Sequence, residues 1–292
     1  MNTRNRTLLC LLALLYAGSS FAQIDSAGLD KVFGKKGAVQ GQVYRITFPR
    51  ADLTVKIGDF PVSPGLALTS WIGLIGMGDQ AMAMGDLVLL DTEVGRVVGL
   101  LVKAHLSLTA MHNHLLNERP NIKFIHISGS GNAMTLAASI VSVLKATGTP
   151  MGPTAAPASP AAANSPDWSK VEAVLGRSGK HNGMLLQYSF PRKEKLTEGG
   201  MEMPAPMGMA TGINFQMDGG RAGTTGDFVL LASEVNPVVQ ALTENGISVT
   251  AIHNHMLFDE PRLFMMHFWA VGDPEKLAKG LKAALQQTNS RL

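Results

Sequence analysis

Apolar and polar positions alternate with period two over residues 42–48, 67–75 and 81–90, the spacing of strands with one face turned to a core. Residues 53–57 form a further short strand that either pairs with the first or continues its sheet. Residues 25–34 carry helical spacing instead. Past residue 90 the pattern changes again: Thr92 is placed to cap a helix running to residue 104. A strand over His112, a turn at Glu118-Arg119-Pro120, a second strand through His126 and a helix over residues 132–146 follow.

The series then returns. A helix is expected over residues 167–176, and Ser233 is placed to cap another running to residue 245, with Pro237 in its first turn, where a missing N–H does little harm. The stretch ending in Phe48-Pro49-Arg50 matches the one ending in Phe190-Pro191-Arg192 at an offset of 142. Gly85–Leu90 matches Gly226–Leu231, and Thr109–Leu115 matches Thr250–Met256, both at 141. A register held over so much of the chain is a tandem duplication. It divides the sequence into repeat domains at 23–146 and 167–292. Residues 147–166, rich in Pro, Ala and Ser and free of charge, read as a linker. The order strand, helix, strand, strand, helix predicts an α+β fold in each copy: a split-βαβ (ferredoxin-like) sandwich, with an antiparallel sheet and helices on one face.

Charge looks basic at first, with 25 Lys and Arg against 22 Asp and Glu in 292 residues. Two of those arginines, Arg4 and Arg6, precede the apolar run from Leu8 to Ala17 and the small residues Ser20 and Ala22, the features of a signal peptide over residues 1–22. That run is too short to span a bilayer, and no transmembrane segment is expected. Without the leader the charges nearly cancel, which removes the argument for nucleic acid as a partner. The single cysteine, Cys10, leaves with it, so a mature chain has no disulfide, no thiolate nucleophile and no cysteine metal site. Leu9 is bulky where a lipobox needs a small residue, so a periplasmic or secreted protein without a lipid anchor is expected.

Six of the eight histidines fall at matching places: His112, His114 and His126, then His253, His255 and His267. Side chains at i and i+2 of a strand share a face, so the first two of each set project together. A hairpin centred near Pro120 or Pro261 would bring the third opposite them. Three neutral imidazoles on one patch of sheet suit a divalent transition metal such as Zn, Cu or Fe with an open position. Asp86 and Asp227 interrupt apolar strands and are candidate fourth ligands, or acceptors that orient an imidazole N–H. Glu118 and Glu260 are candidate general bases. The structural alternative is a network of histidines satisfied by backbone carbonyls. The spacing of His112, His114, Glu118 and His126 matches a cupin metal signature, but the helices between these strands argue against a jelly roll.

Other features read as structural. Glu93 and Glu234 complement a helix dipole. Arg50 and Arg192 close their strands, where solvation is expected ahead of anion binding. Asn113 and Asn254 face away from the histidines and are expected to bond to backbone. Met201, Met203, Met207, Met209 and Met217 have the spacing of copper ligands, yet lack counterparts in the first copy and read as packing. No serine triad, phosphate loop or dinucleotide fingerprint is present.

The Gly-Asp-x-Val-Leu strand and the Thr-Ala-x-His-Asn-His block, each present twice behind an export signal, resemble the LppY/LpqO family over residues 25–285. That resemblance implies export and duplication, and no reaction. The residues therefore favour an exported envelope protein that binds a metal ion or a small ligand, such as a cell-envelope component, through a three-histidine patch in each repeat. The alternative is a metal-dependent hydrolase acting on a cell-envelope substrate.

Overall fold

The computed structural model describes residues 24–77, 80–152 and 165–292. The leader expected at 1–22 and most of the expected linker lie outside these residues.

The first repeat opens with α1 (Ser26–Phe33), capped by the Asp25 side chain and ended by Gly34 in the left-handed region. It continues through β1 (Ala38–Gln40), β2 (Val43–Pro49), β3 (Val55–Ile57), β4 (Phe60–Val62), α2 (Pro64–Ala67), β5 (Thr69–Met77) and β6 (Gln80–Leu90). Then come α3 (Asp91–Lys103), β7 (Ser107–His112), β8 (Glu118–Arg119), β9 (Ile122–Gly131) and α4 (Ala133–Leu144). The second repeat runs α5 (Ser169–Leu175), β10 (Lys180–Asn182), β11 (Leu185–Pro191), β12 (Thr197–Glu198), β13 (Met201–Glu202), a 3-10 turn at Ala205–Met207, β14 (Ala210–Asp218) and β15 (Arg221–Leu231). It closes with α6 (Ala232–Glu244), β16 (Ser248–His253), β17 (Asp259–Glu260), β18 (Leu263–Gly272) and α7 (Pro274–Leu285).

Each repeat is α+β with a six-stranded antiparallel sheet, ordered β1-β2-β5-β6-β9-β7 and β10-β11-β14-β15-β18-β16. In the first, β6, α3 and β7 form a βαβ unit whose two strands are separated by β9, the split arrangement the element order predicts. β15, α6 and β16 repeat it around β18.

Three expectations are corrected. Residues 55–57 do not join the main sheet but pair with β4 and β8 in a small sheet of their own. The helix caps move: α3 and α6 start before Thr92 and Ser233, and the Glu93 and Glu234 carboxylates accept the Leu90 and Leu231 N–H groups at 2.8 Å. Pro237 lies a turn inside α6, past the positions whose N–H groups are free in any helix.

The period-two pattern explains how the layers form. On β6, Ala81, Ala83, Leu87 and Leu89 pack with α1, α3 and α4, whereas Met84 and Val88 face the other way. That other face meets the second repeat. Val43, Ile75 and Met84 pack with Met203, Met207, Met209, Met256 and Met265 in one cluster; Phe60, Val88 and Phe124 pack with Leu185 and Trp269 in another. The methionines of the second repeat are thus packing residues, as expected. The two sheets meet face to face with helices outside, and both apolar clusters flank a polar centre.

Arg50 and Arg192 are neither solvated nor anion sites. Arg50 is fully buried and pairs with Asp52 at 2.9 Å and Glu93 at 2.8 Å while donating to Val88 O. Arg192 makes the same set with Glu194, Glu234 and Val229 O. Glu93 and Glu234 also accept from Gly148 and Asn289, so the chain remains packed on each repeat past its last helix.

Candidate metal centre between the two repeats

Strand β6 places Asp86 directly opposite His126 on β9, and β15 places Asp227 directly opposite His267 on β18. Both pairs sit on the face that meets the other repeat, because Asp86 lies two residues from Met84 and from Val88 on that face. The hairpin expectation was offset. Ala110, not His112 or His114, stands opposite His126, because β8 leaves the hairpin to pair with β3. His112 lies diagonally from His126 and still reaches it, Nε2 to Nε2 at 2.8 Å. His114 is past the end of β7, in the following turn, yet its ring centroid is 5.2 Å from that of His112.

All six repeated histidines converge. His112 stacks on His253 with centroids 3.6 Å apart, His114 on His267 at 3.6 Å, and His126 meets His255 edge to face at 3.9 Å. The last two pairs are exchanged by the equivalence of the repeats, and the first maps onto itself, so the rings are arranged about a pseudo-twofold axis. The turns bearing them are tied crosswise: Thr109 Oγ1 donates to His255 O at 2.8 Å and Thr250 Oγ1 to His114 O at 2.7 Å. Asn254 also crosses, donating to Thr109 O, while Asn113 accepts from Lys123 Nζ rather than bonding to backbone.

Partners assign the proton positions. His253 Nδ1 lies 2.7 Å from Asn254 O, and His267 Nδ1 lies 3.0 Å from Gly226 O and 2.7 Å from Asp227 Oδ1. A carbonyl only accepts, so both Nδ1 atoms carry a proton, and in the neutral ring Nε2 then presents a lone pair. Those two Nε2 atoms are 2.8 Å apart. Two lone pairs at that separation require a cation between or beside them, either a proton or a metal ion. Nitrogens about 2.1 Å from an ion lie about 3.4 Å apart at the tetrahedral angle of zinc and about 3 Å apart at right angles, so a tetrahedral ion would spread this pair slightly.

Burial, reinforced by the neighbouring imidazoles, pushes His112, His114 and His126 below the ordinary histidine range. His253 falls to about 3 and His255 to about 4. His267 moves up, since the Asp227 carboxylate outweighs its desolvation. Five of the six rings are thus driven towards the neutral form, which is the one that ligates metal, while Asp227 draws a proton onto His267 that a metal there would displace. Asp86 Oδ1, His114 Nε2, His126 Nδ1 and His255 Nδ1 are buried with no hydrogen-bond partner, a concentration of unsatisfied groups that a bound ligand would relieve.

Among the described residues, three sets of donor atoms lie close enough to share an ion: Asp86, His112 and His126; His114, Asp227 and His267; and His112, His253 and His267. The first two share no residue, and the second draws on both repeats. Glu118 and Glu260, expected as bases, join none of them and line neither cavity at the centre. Glu118 Oε1 instead accepts from Ile122 N at 3.0 Å, and Glu260 is exposed on β17. At the offset of 141 the counterpart of Glu118 is Asp259, and it too holds the following strand, accepting from Leu263 N.

A family model described as a Domain of Unknown Function (DUF1259) matches residues 27–146 and again 169–287. The chain belongs to this family. Its duplicated unit is the repeat seen in the sequence and the fold. No curated protein matches. Among solved structures, EtuB from Clostridium kluyveri is similar at 8% identity over 86% of this chain and 88% of that one, with a TM-score of 0.20. A double-ringed trimeric shell protein from the RMM microcompartment is similar at 7% identity over 73% and 84%, with a TM-score of 0.18. No described helix is long and apolar enough to cross a membrane.

Proposed function

We propose that this protein is an exported metal-binding protein whose histidines and aspartates form one composite centre shared by its two repeats. The observation that carries this reading is the approach of the His253 and His267 Nε2 atoms to 2.8 Å, with each ring's Nδ1 fixed by a donor bond. A metal between such nitrogens, with Asp227 orienting one ring, is the common use of this arrangement.

Two separate sets of two histidines and one aspartate give a capacity of two ions per chain. A two-nitrogen, one-carboxylate set leaves open positions and suits Fe or Zn better than the soft sites that favour Cu(I). Binding is preferred to hydrolysis because the carboxylates near the ions are themselves donors, and Glu118 and Glu260 are engaged or exposed elsewhere. The export reading, with its link to the LppY/LpqO family, is supported by the leader-like residues 1–22. A mature N-terminus near Gln23 in a periplasmic or culture fraction would test it; an intact Met1 there would remove it.

Elemental analysis of protein prepared without an affinity tag tests the metal reading. The expectation is Fe or Zn at one to two atoms per chain, falling to trace when His112→Ala and His267→Ala are combined, because those residues serve all three donor sets. Trace metal in the unaltered protein would leave a shared proton as the cation.

A further inference from the structure

Two cavities of about 320 and 230 Å³ open on either side of Asp86 and Asp227, and Arg45 and Trp71 line both. The larger reaches His126, His253 and His255. Its volume is at the low end for small-molecule sites. The Arg45 guanidinium carbon lies 4.0 Å from the Trp71 ring centroid, and Nη1 donates to Pro206 O. Unlike Arg50 and Arg192, each held by two carboxylates, Arg45 makes no ion pair among the described residues. Burial lowers its pKa to about 10, which leaves it charged at neutral pH.

The fold does not require this cation. The second repeat builds the same strands with Gln187 where the first has Arg45, and Gly212 where it has Trp71. A Cβ added at Gly212 meets nothing within 4 Å, so the space its counterpart Trp71 occupies in the first repeat is open cavity here. The cleft is therefore asymmetric, lined by a planar cation and an indole from the first repeat and by the small residues Ala205, Ala210 and Gly212 from the second.

We propose that this cleft takes a small molecule bearing a single carboxylate, held by the free donors of Arg45, with its body against the small apolar wall and beside the histidine centre. The guanidinium fork matches a carboxylate in shape and charge. Asp86 and Asp227 disfavour a doubly charged phosphate more than a monoanion. The proposal builds on the metal centre, since ions on those aspartates would offset their charge.

Calorimetric titration of the full chain with benzoate, acetate and inorganic phosphate tests it, using metal-loaded and chelator-treated protein with metal content measured in parallel. Benzoate or acetate should bind saturably. Arg45→Gln, which copies the second repeat, should weaken that binding at least about tenfold while leaving metal content unchanged. Gly212→Leu, which should fill the cleft from the strand position opposite Asp227, serves as a second variant should Arg45→Gln misfold, with its metal content measured in parallel. The proposal is overturned if neither carboxylate binds either form of the wild-type protein, if both variants bind as wild type does, or if phosphate alone binds. Arg45-dependent benzoate binding by a protein that takes up no metal would support the carboxylate site while removing the metal reading.

Discussion

His253 and His267 each donate an Nδ1 hydrogen bond to a carbonyl, which turns their Nε2 atoms towards each other and makes a place for a cation, a proton or a metal ion. Arg192 and Glu194 show the opposite condition, charged groups with their hydrogen-bond partners in place. Despite partial burial, hydrogen bonds from Arg192 and Asn289 hold the Glu194 carboxyl down to about 2. A carboxyl with a depressed native pKa contributes stability above its unfolded value of about 4.5, and that contribution fades as pH falls towards 2. Urea unfolding should therefore show stability dropping over that range, with a shallower drop in Arg192→Ala. At neutral pH the same variant should lose about 3–5 kcal/mol, because Glu234 is left buried, and Glu194 half-buried, without their partner. A loss under 1 kcal/mol would show that the pair is solvated. From sequence these arginines looked like strand ends open to water. Their carboxylates come from two and about forty positions onward, and no local pattern connects them.

Strands and their register account for most of what could be read in advance. Alternation along β6 placed Asp86 in the middle of an apolar stripe, which made it a candidate without any structure. The hairpin was misplaced by four in the sum of paired positions, since the sequence around Glu118 does not show that β8 leaves to join β3. His112 reaches His126 regardless because a diagonal neighbour is within range of a long side chain. The turns carrying His114 and His255 depend on the opposite repeat through Thr250 and Thr109. Replacing both threonines by valine should cost about 1–3 kcal/mol for two buried hydrogen bonds and lower metal content. Unchanged metal content would mean the turns hold their shape alone. Gly208 is constrained differently: it has φ +83°, and a Cβ there would lie 2.6 Å from the His255 ring. Gly208→Ala should therefore displace His255 and be destabilised by more than the roughly 1–2 kcal/mol of the left-handed backbone alone.

Across the whole molecule, duplication makes one site from two copies of a half-site. Each repeat alone would expose an apolar face holding histidines and an aspartate; facing its copy, that surface becomes an interior. The duplication was legible in the sequence, where the histidines read as two patches, one in each repeat. Strands with apolar residues on both faces look alike whether covered by a helix or by a second sheet, so the contact between repeats was not legible. Because the apolar clusters and the centre both cross that contact, chelator treatment should lower the melting temperature of the full chain as one transition. Two separate transitions, one insensitive to chelator, would show independent repeats.

Anomalous diffraction from crystals of the protein, collected at the absorption edge of whichever metal elemental analysis finds, tests the central claim most directly. The account predicts density between Asp86, His112 and His126, between His114, Asp227 and His267, or between His253 and His267. Metal found only at the surface histidines His105 or His181, with none among the six buried between the sheets, would contradict it.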